Sequence, residues 1–585
     1  MKSPAAAMPN DVAAWAQTAK HAVESGDGDA VERAFRRLAE LLPDEARAHF
    51  NHAKALGDLG RHAEAEVALR LALRLAPDLA QANTNLGNLL TRAGRLEEAE
   101  PFLARATQLQ PELWRAHFNL ATLLQRRGRL DDARHAVERA LSLAVDAVEA
   151  HQLRLLLALY SGDGTDEALF DLHRQAAGAI ARQNNLPTRY HANAVDPERR
   201  LRIGYVSPDL RAHSVAYFFE GVLAAHDRQQ VEVFCYSDVG RPDEVTKRLR
   251  ATTDHWRDIR KFDLDRLAAQ VQTDRIDVLI DLAGHTRDNR IGLFARKAAP
   301  LQASWIGYPA TTGLDTIDFR FTDAIVDPPG TSEALHSETL VRLEPCFLAY
   351  RPPTDAPQAA GGPGDCPALR GEAPVFGSFN NIAKLSAATV ETWAALLHAV
   401  PEAKLVLKSS GVADRQSFAW FDDILASKGV MAERIEFLPF APTMAEHLAL
   451  YRRIDVALDT FPYNGTTTTC EALLMGVPVI VLAGAPTRHA ARVGQSLLHA
   501  MGLDEFVAAD RAEYVAKATN LARDHARIGE LRGSLRNKLL ASPLCDAPGL
   551  TRQVEAAYRK FWRQWCHGQT ASQTTSQTAS QTGTQ

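Results

Sequence analysis

Six cysteines are spread over 585 residues, at Cys235, Cys346, Cys366, Cys470, Cys545 and Cys566, and no two form a C-x-x-C pair. Scatter of this kind offers neither a disulfide framework nor a zinc site. No apolar run approaches the length of a membrane span. The opening stretch, MKSPAAAMPNDVAAW, lacks the apolar core of a signal peptide. Net charge is also small, with 66 basic against 71 acidic residues giving −5. That disfavours a nucleic-acid binder held by bulk electrostatics. No acidic cluster suited to a metal stands out, and the DLD at Asp263 reads better as a helix start. The expectation is a cytoplasmic chain with neither nucleic acid, membrane nor metal among its partners. Its length and 46% hydrophobic content predict several packed domains.

A repeat occupies the N-terminal third. Gly60, Gly94 and Gly128 are spaced by 34, as are Pro43, Pro77 and Pro111, and Ala48, Ala82 and Ala116. The acidic-Ala pairs Glu64-Ala65, Glu98-Ala99 and Asp132-Ala133 keep the same period. A 34-residue period with small residues at fixed places is similar to the tetratricopeptide repeat, in which two helices cross where only Ala or Gly fits. Ala150 and Gly162 extend the phase weakly, and Gly26 hints at a partial first unit. Such arrays offer a concave surface to an extended peptide. Asn51, Asn85 and Asn119 share the 34 spacing and suit either backbone recognition of a peptide or a helix-packing or capping role. The repeat region is expected over 11–195.

After Asp196-Pro197 the texture alternates. LRIGYVS, VEVFCYS, DVLIDLAG, ASWIGYP and FRFTDAIVD read as strands separated by helical stretches, the pattern of a parallel α/β sheet over 200–350. The segment 351–373 is rich in Pro, Gly and Ala and reads as a linker. A second set follows over 374–568, with PVFGSFN, AKLVLKSS, IEFLPF, VALDT and PVIVLAG. The tail 569–585 is low-complexity and expected to be disordered. In sheets of this kind ligands meet the carboxyl ends of the strands.

Three motifs fall at such ends. In LDTFPYNGTTTTCEALLMG, Thr466, Thr467 and Thr468 open a helix that Gly476 closes. Free N–H groups, a positive helix end and added hydroxyls suit a diphosphate. The Walker lysine and spacing are missing, so ATP hydrolysis is not suggested. Glu471, placed on the first turn, can accept hydrogen bonds from ribose hydroxyls or serve the helix dipole. In FGSFNNIAKLS, Asn380, Asn381 and Lys384 should face the cleft, where a lysine can neutralise a leaving diphosphate. In YVSPDLRAHSVAYFFEG, Asp209 and His213 follow a strand, and the histidine can take a proton from a hydroxyl nucleophile or orient a donor. His285, Thr286, Tyr308, Pro309 and Thr311 should come to the same edge.

Together, SPDLRAHSVAYFFEG, DLAGHTRDN, WIGYPATTGLDTIDFRFTD, FGSFNNIAKLS and LDTFPYNGTTTTCEALLMGVP make the chain resemble the protein O-linked N-acetylglucosamine transferase and SPINDLY family, from about Asp11 to Gly568. The resemblance implies an α + α/β fold: a tetratricopeptide superhelix, then a GT-B glycosyltransferase of two Rossmann-like domains. It implies a metal-independent, inverting transfer of a sugar from a nucleotide donor to Ser or Thr of proteins held along the repeat groove. By the same resemblance His213 is the base or donor-orienting histidine, and Lys384 stabilises the leaving diphosphate. Thr466, Thr467 and Thr468 bind that diphosphate. Asn381 stands where human-type enzymes have Gln, and Glu471 where they have a ribose-binding Asp. Ala441, Pro442 and His447, in APTMAEH, match the base-binding stretch, with His447 stacking. His285, Thr286, Tyr308, Pro309 and Thr311 are placed near sugar and acceptor. Several stretches look more like the SPINDLY branch, which in plants uses GDP-fucose, whereas human-type enzymes use UDP-GlcNAc. Either donor stays open, as does a GT-B transferase acting on a lipid or polysaccharide, while a degenerate, binding-only catalytic half is disfavoured by the intact threonine loop and Lys384.

Overall fold

A computed structural model of the chain describes residues 9–184, 191–357, 366–408, 419–483 and 488–582. A helical unit ends at Val145, and a larger unit begins at Asp146.

The first unit is a row of helical hairpins. Pro9–Ser25 pairs with Gly28–Leu41, Ala46–Asp58 with His62–Leu75, Ala80–Arg92 with Leu96–Leu109, and Trp114–Arg126 with Leu130–Leu143. The repeat glycines Gly60, Gly94 and Gly128 all turn at positive φ (75°, 81° and 74°), where a side chain would be strained. Ala82, Ala116, Ala99 and Ala133 are fully buried at the helix crossings. Two further periodic features escaped the sequence reading. His49, Asn83 and His117 donate to the carbonyls of Pro43, Pro77 and Pro111 at 2.8, 2.9 and 3.0 Å. Glu32–Arg61, Glu66–Arg95 and Glu100–Arg129 form a ladder of ion pairs between neighbouring repeats at 3.2, 2.8 and 2.7 Å. Asn51, Asn85 and Asn119 lie half-buried in the middle of their helices, which removes the capping alternative.

In the larger unit a further hairpin, Val148–Ser161 and Asp166–Gln183, keeps the 34-residue phase through Gly162 (φ 72°). The repeat thus extends into the catalytic unit and its last helix ends at Gln183; residues 185–190, within the expected span, lie outside the described residues.

Two all-parallel sheets follow. The first has the order β3-β2-β1-β4-β5-β6-β7. Its strands are β1 Leu201–Ser207, β2 Val231–Ser237, β3 His255–Asp258, β4 Val278–Asp281, β5 Leu301–Ser304, β6 Phe319–Thr322 and β7 Thr339–Arg342. The second has the order β10-β9-β8-β11-β12-β13. It comprises β8 Val375–Ser378, β9 Lys404–Leu407, β10 Ile435–Phe437, β11 Val456–Leu458, β12 Val479–Leu482 and β13 Val507–Ala508. The central strands are buried on both faces, as parallel strands under helices must be. The edge strands β3, β7 and β13 escaped the sequence reading, β3 and β7 because they are only partly buried and show no apolar run, and β13 because it has two residues.

Two expected boundaries move. The helix Ala547–Thr582 follows the second sheet in sequence but packs on the first. Tyr558 meets Tyr205 at 3.0 Å, Phe561 stacks on Phe319 at 4.2 Å, and Trp562 donates to the Asp196 carbonyl. Its apolar face is legible in sequence, but the sheet it covers is not. The helix also continues to Thr582 in place of the expected disordered tail, since no Pro or Gly interrupts 569–582; residues 583–585 lie outside the described residues. Part of the expected linker, 358–365, also lies outside them, while its ends are anchored through Arg351 N–H to the Tyr217 carbonyl and Ala368 N–H to Asp455.

Candidate active site

The strand β11 ends at Leu458, and Asp459 to Gly465 turn the chain into the helix Thr467–Leu474 with Thr466 as N-cap. No threonine side chain caps this helix, so capping does not account for the run. Thr468 instead donates its hydroxyl to Asn380 Oδ1 at 2.9 Å. The Thr467 hydroxyl is buried and, among the described residues, without a partner. A buried hydroxyl at a helix N-terminus is able to donate to an anion. Gly465 is required by close approach, because a Cβ there would come 2.5 Å from Thr468 Oγ1 and 3.0 Å from Asp459 Oδ1. A small hollow lies here, lined by Asn380, Asp459, Tyr451 and Thr468 among others.

Asp459 is fully buried. Its Oδ1 accepts from the N–H of Gly465 (2.6 Å) and Thr460 (2.9 Å) and from the Asn380 amide (3.3 Å). Its Oδ2 has no partner among the described residues. Burial pushes its carboxyl up to about 7 against those donors and Lys384. Lys384 closes the short turn Ile382–Lys384 after β8 and donates to the Asn464 carbonyl at 2.8 Å. Burial lowers its ammonium to about 8, opposed by Asp459. Of the expected asparagines it is Asn380 that points inward. Asn381 is exposed and uses its side chain to cap the Lys384 turn at Ala383 N–H.

The stretch expected to meet the base is a relay of side chains. Thr443 and Glu446 form a capping box that starts the helix Met444–Ala449, directly after Ala441 and Pro442, and places His447. Lys408 donates to His447 Nδ1 at 2.7 Å, and His447 Nε2 donates to Glu471 Oε2 at 2.9 Å. Tyr451 adds a donor to the same carboxylate at 3.3 Å, and Phe379 packs against both the Tyr451 and His447 rings. Glu471 is therefore on the second helical turn, not the first, and is buried against His447. Sequence reading missed Lys408, which follows the apolar run of β9 directly and is buried.

On the first sheet, His213 caps the helix Ser214–Ala225 beyond β1. Its Nδ1 accepts from Val215 N–H at 3.4 Å and lies 3.6 Å from Asp209. Nε2 makes no hydrogen bond among the described residues. Burial lowers the His213 imidazole and raises the Asp209 carboxyl. The residues expected near sugar and acceptor are, for the most part, turned inward. His285 donates to the Thr312 carbonyl, Tyr308 bonds His173, Thr311 bonds Glu338, and Thr286 closes its own turn at Ala283. They form a buried polar cluster joining the last repeat hairpin to the loops after β4 and β5. Pro309 lines a separate hollow beside His173, His336 and Arg488.

Two parallel Rossmann-like sheets in one chain are the architecture of a GT-B-type glycosyltransferase. The chain belongs to glycosyl transferase family 41, whose model matches residues 176–349 and 367–554, and tetratricopeptide repeat models match 46–79 and 78–144. It is 41% identical over 433 residues to the probable UDP-N-acetylglucosamine–peptide N-acetylglucosaminyltransferase SPINDLY of Petunia hybrida, covering 73% of this chain and 45% of that one. The Arabidopsis thaliana SPINDLY is 41% identical over 431 residues, covering 73% and 46%. The chain thus spans less than half the length of these curated relatives. A mutant O-GlcNAc transferase from Thermobaculum terrenum superposes with a TM-score of 0.75 at 35% identity, covering 95% of this chain and 98% of that one. Among the described residues no helix is long and apolar enough to cross a membrane.

Proposed function

We propose that this chain is an inverting, metal-independent protein O-glycosyltransferase that moves N-acetylglucosamine from UDP-GlcNAc to Ser or Thr hydroxyls, with acceptor proteins held along the repeat groove. The observation that carries it is the convergence of Lys384, Asn380, Thr468 and the unpartnered Thr467 hydroxyl at the mouth of one helix. The acceptor oxygen attacks the anomeric carbon, the bond to the diphosphate breaks, and the electron pair leaves with the diphosphate. Lys384 and the helix N-terminus neutralise that charge as it develops, which is where binding lowers a barrier. His213 takes the hydroxyl proton or orients the donor. Glu471 and His447 hold ribose and base. Changing Thr467 and Thr468 together to Val should weaken UDP or GDP binding by about 1–3 kcal/mol. Unaltered affinity in calorimetry would sink this reading of the loop.

GDP-fucose is the second reading, carried by the resemblance of several stretches to the SPINDLY branch, although the SPINDLY relatives at 41% identity are themselves named for UDP-N-acetylglucosamine. A thermal-shift panel of UDP, GDP, UDP-GlcNAc and GDP-fucose separates the two, because a ligand that binds only the fold at free concentration L stabilises it by RT ln(1 + L/Kd).

A further inference from the structure

Lys384 does not stand in open solvent waiting for an anion. Its Nζ lies 4.4 Å from the centroid of the Tyr463 ring, over the face, while donating to Asn464 one residue further on. Tyr463 is in turn braced from the repeat side. Tyr160, at the end of the helix Val148–Ser161, meets it edge-on with centroids 5.0 Å apart. Two residues later Gly162, at φ 72°, lets the hairpin touch Pro462 so closely that a Cβ would come within 2.5 Å of that ring. On its other side the loop is clamped by Ser386 and Thr389, whose hydroxyls donate to the Phe461 carbonyl at 2.7 and 2.6 Å.

We propose that Tyr463 is a positioning residue for Lys384, holding the ammonium by its ring face, and that Tyr160 of the last repeat hairpin keeps that ring in place. This rests on the leaving-group role given to Lys384 above. An aromatic face attracts a cation and so favours the charged lysine, the only form able to neutralise a departing diphosphate. Among the described residues the other titratable group acting on Lys384 is the Asp459 carboxyl, from the end of β11. Burial opposes the charge and lowers the ammonium to about 8, so the ring works where the lysine would otherwise lose its proton near neutrality. The arrangement also makes the last repeat hairpin part of the catalytic apparatus, and not only part of an acceptor groove.

The test compares Tyr463→Leu, Tyr463→Phe, Tyr160→Ala and Lys384→Met in the full chain, reading donor kcat, KM and the pH dependence of kcat/KM. Tyr463→Leu should lower kcat about three- to thirtyfold with nucleotide affinity little changed. It should also move the alkaline limb of kcat/KM to lower pH, because loss of the ring favours the neutral amine. Tyr463→Phe keeps the face and should restore both. Tyr160→Ala should shift both in the same direction by less, and carries the test if the Leu variant does not fold. Wild-type kcat and an unmoved alkaline limb in the folded Leu variant would overturn the proposal, provided Lys384→Met is inactive. A Lys384→Met enzyme of near-normal turnover would instead overturn the leaving-group reading on which it rests.

Discussion

Lys408 Nζ lies 2.7 Å from His447 Nδ1, and because an ammonium has no lone pair the imidazole must be the acceptor. That fixes the neutral tautomer with its proton on Nε2, aimed at Glu471. A buried lysine, a histidine and a carboxylate are thus linked in sequence at the end of the cleft proposed to hold the base. Lys408→Met keeps the length of the stem but releases the ring. Donor KM should rise about tenfold or more while kcat changes little, since base and ribose contacts are the same in ground and transition states. Equal losses in kcat and kcat/KM would place Lys408 in the chemical step instead.

Proton linkage offers a second test. Asp459 is raised to about 7 and Lys384 lowered to about 8, both by burial. An arriving diphosphate is negative, so it favours protonation of each. Between pH 7 and 8 UDP or GDP binding should therefore take up protons. Calorimetry in two buffers of different ionisation enthalpy reads this directly. Proton release on binding would show that the diphosphate sits elsewhere.

Much of this was legible in sequence, for reasons that can be named. The 34-residue period survives because Gly60, Gly94 and Gly128 each serve the same left-handed turn. The threonine loop is legible because strand, turn and helix follow one another without insertion. What was missed depends on distance along the chain. Tyr160 and Tyr463 are 303 positions apart by numbering, and nothing local marks their contact. Asn380 and Asn381 are adjacent and identical in type, so only the exit geometry of β8 decides which one turns inward. The inward turn of His285 and Tyr308 follows from their packing against His173, a residue of the repeat hairpin.

His213 carries a pH prediction of its own. Burial lowers its imidazole, so the neutral form capable of accepting a proton persists below the usual histidine range. If His213 is the base, kcat/KM should stay flat down to about pH 6.5 and fall only below it. His213→Asn keeps a hydrogen-bonding side chain without a titrating base. It should bind donor yet transfer about a hundredfold more slowly, and full transfer by this variant would leave only the orienting role.

Stability should also fall in acid. Burial holds His173 near 3 and His285 near 4, so both stay neutral in the fold while the unfolded chain binds protons from about 6.5 downward. Their contribution is complete above that pH and is lost as pH falls from 6.5 toward 4. With both groups protonating on unfolding, the slope approaches about 2.7 kcal/mol per pH unit. Denaturant unfolding at pH 7, 6 and 5 checks this, and His285→Gln should flatten the dependence. An unchanged slope in that variant would count against His285 as a source.

The most direct measurement is intact-mass analysis of synthetic peptides carrying single Ser or Thr residues, incubated with the full chain and either UDP-GlcNAc or GDP-fucose. The expected result is the gain of one sugar mass from one of the two donors by the wild-type enzyme. Lys384→Met should still bind the nucleoside diphosphate but transfer at least about a hundredfold more slowly. No mass gain from either donor, or transfer undiminished in Lys384→Met, would contradict a protein glycosyltransferase working through the threonine loop and its lysine.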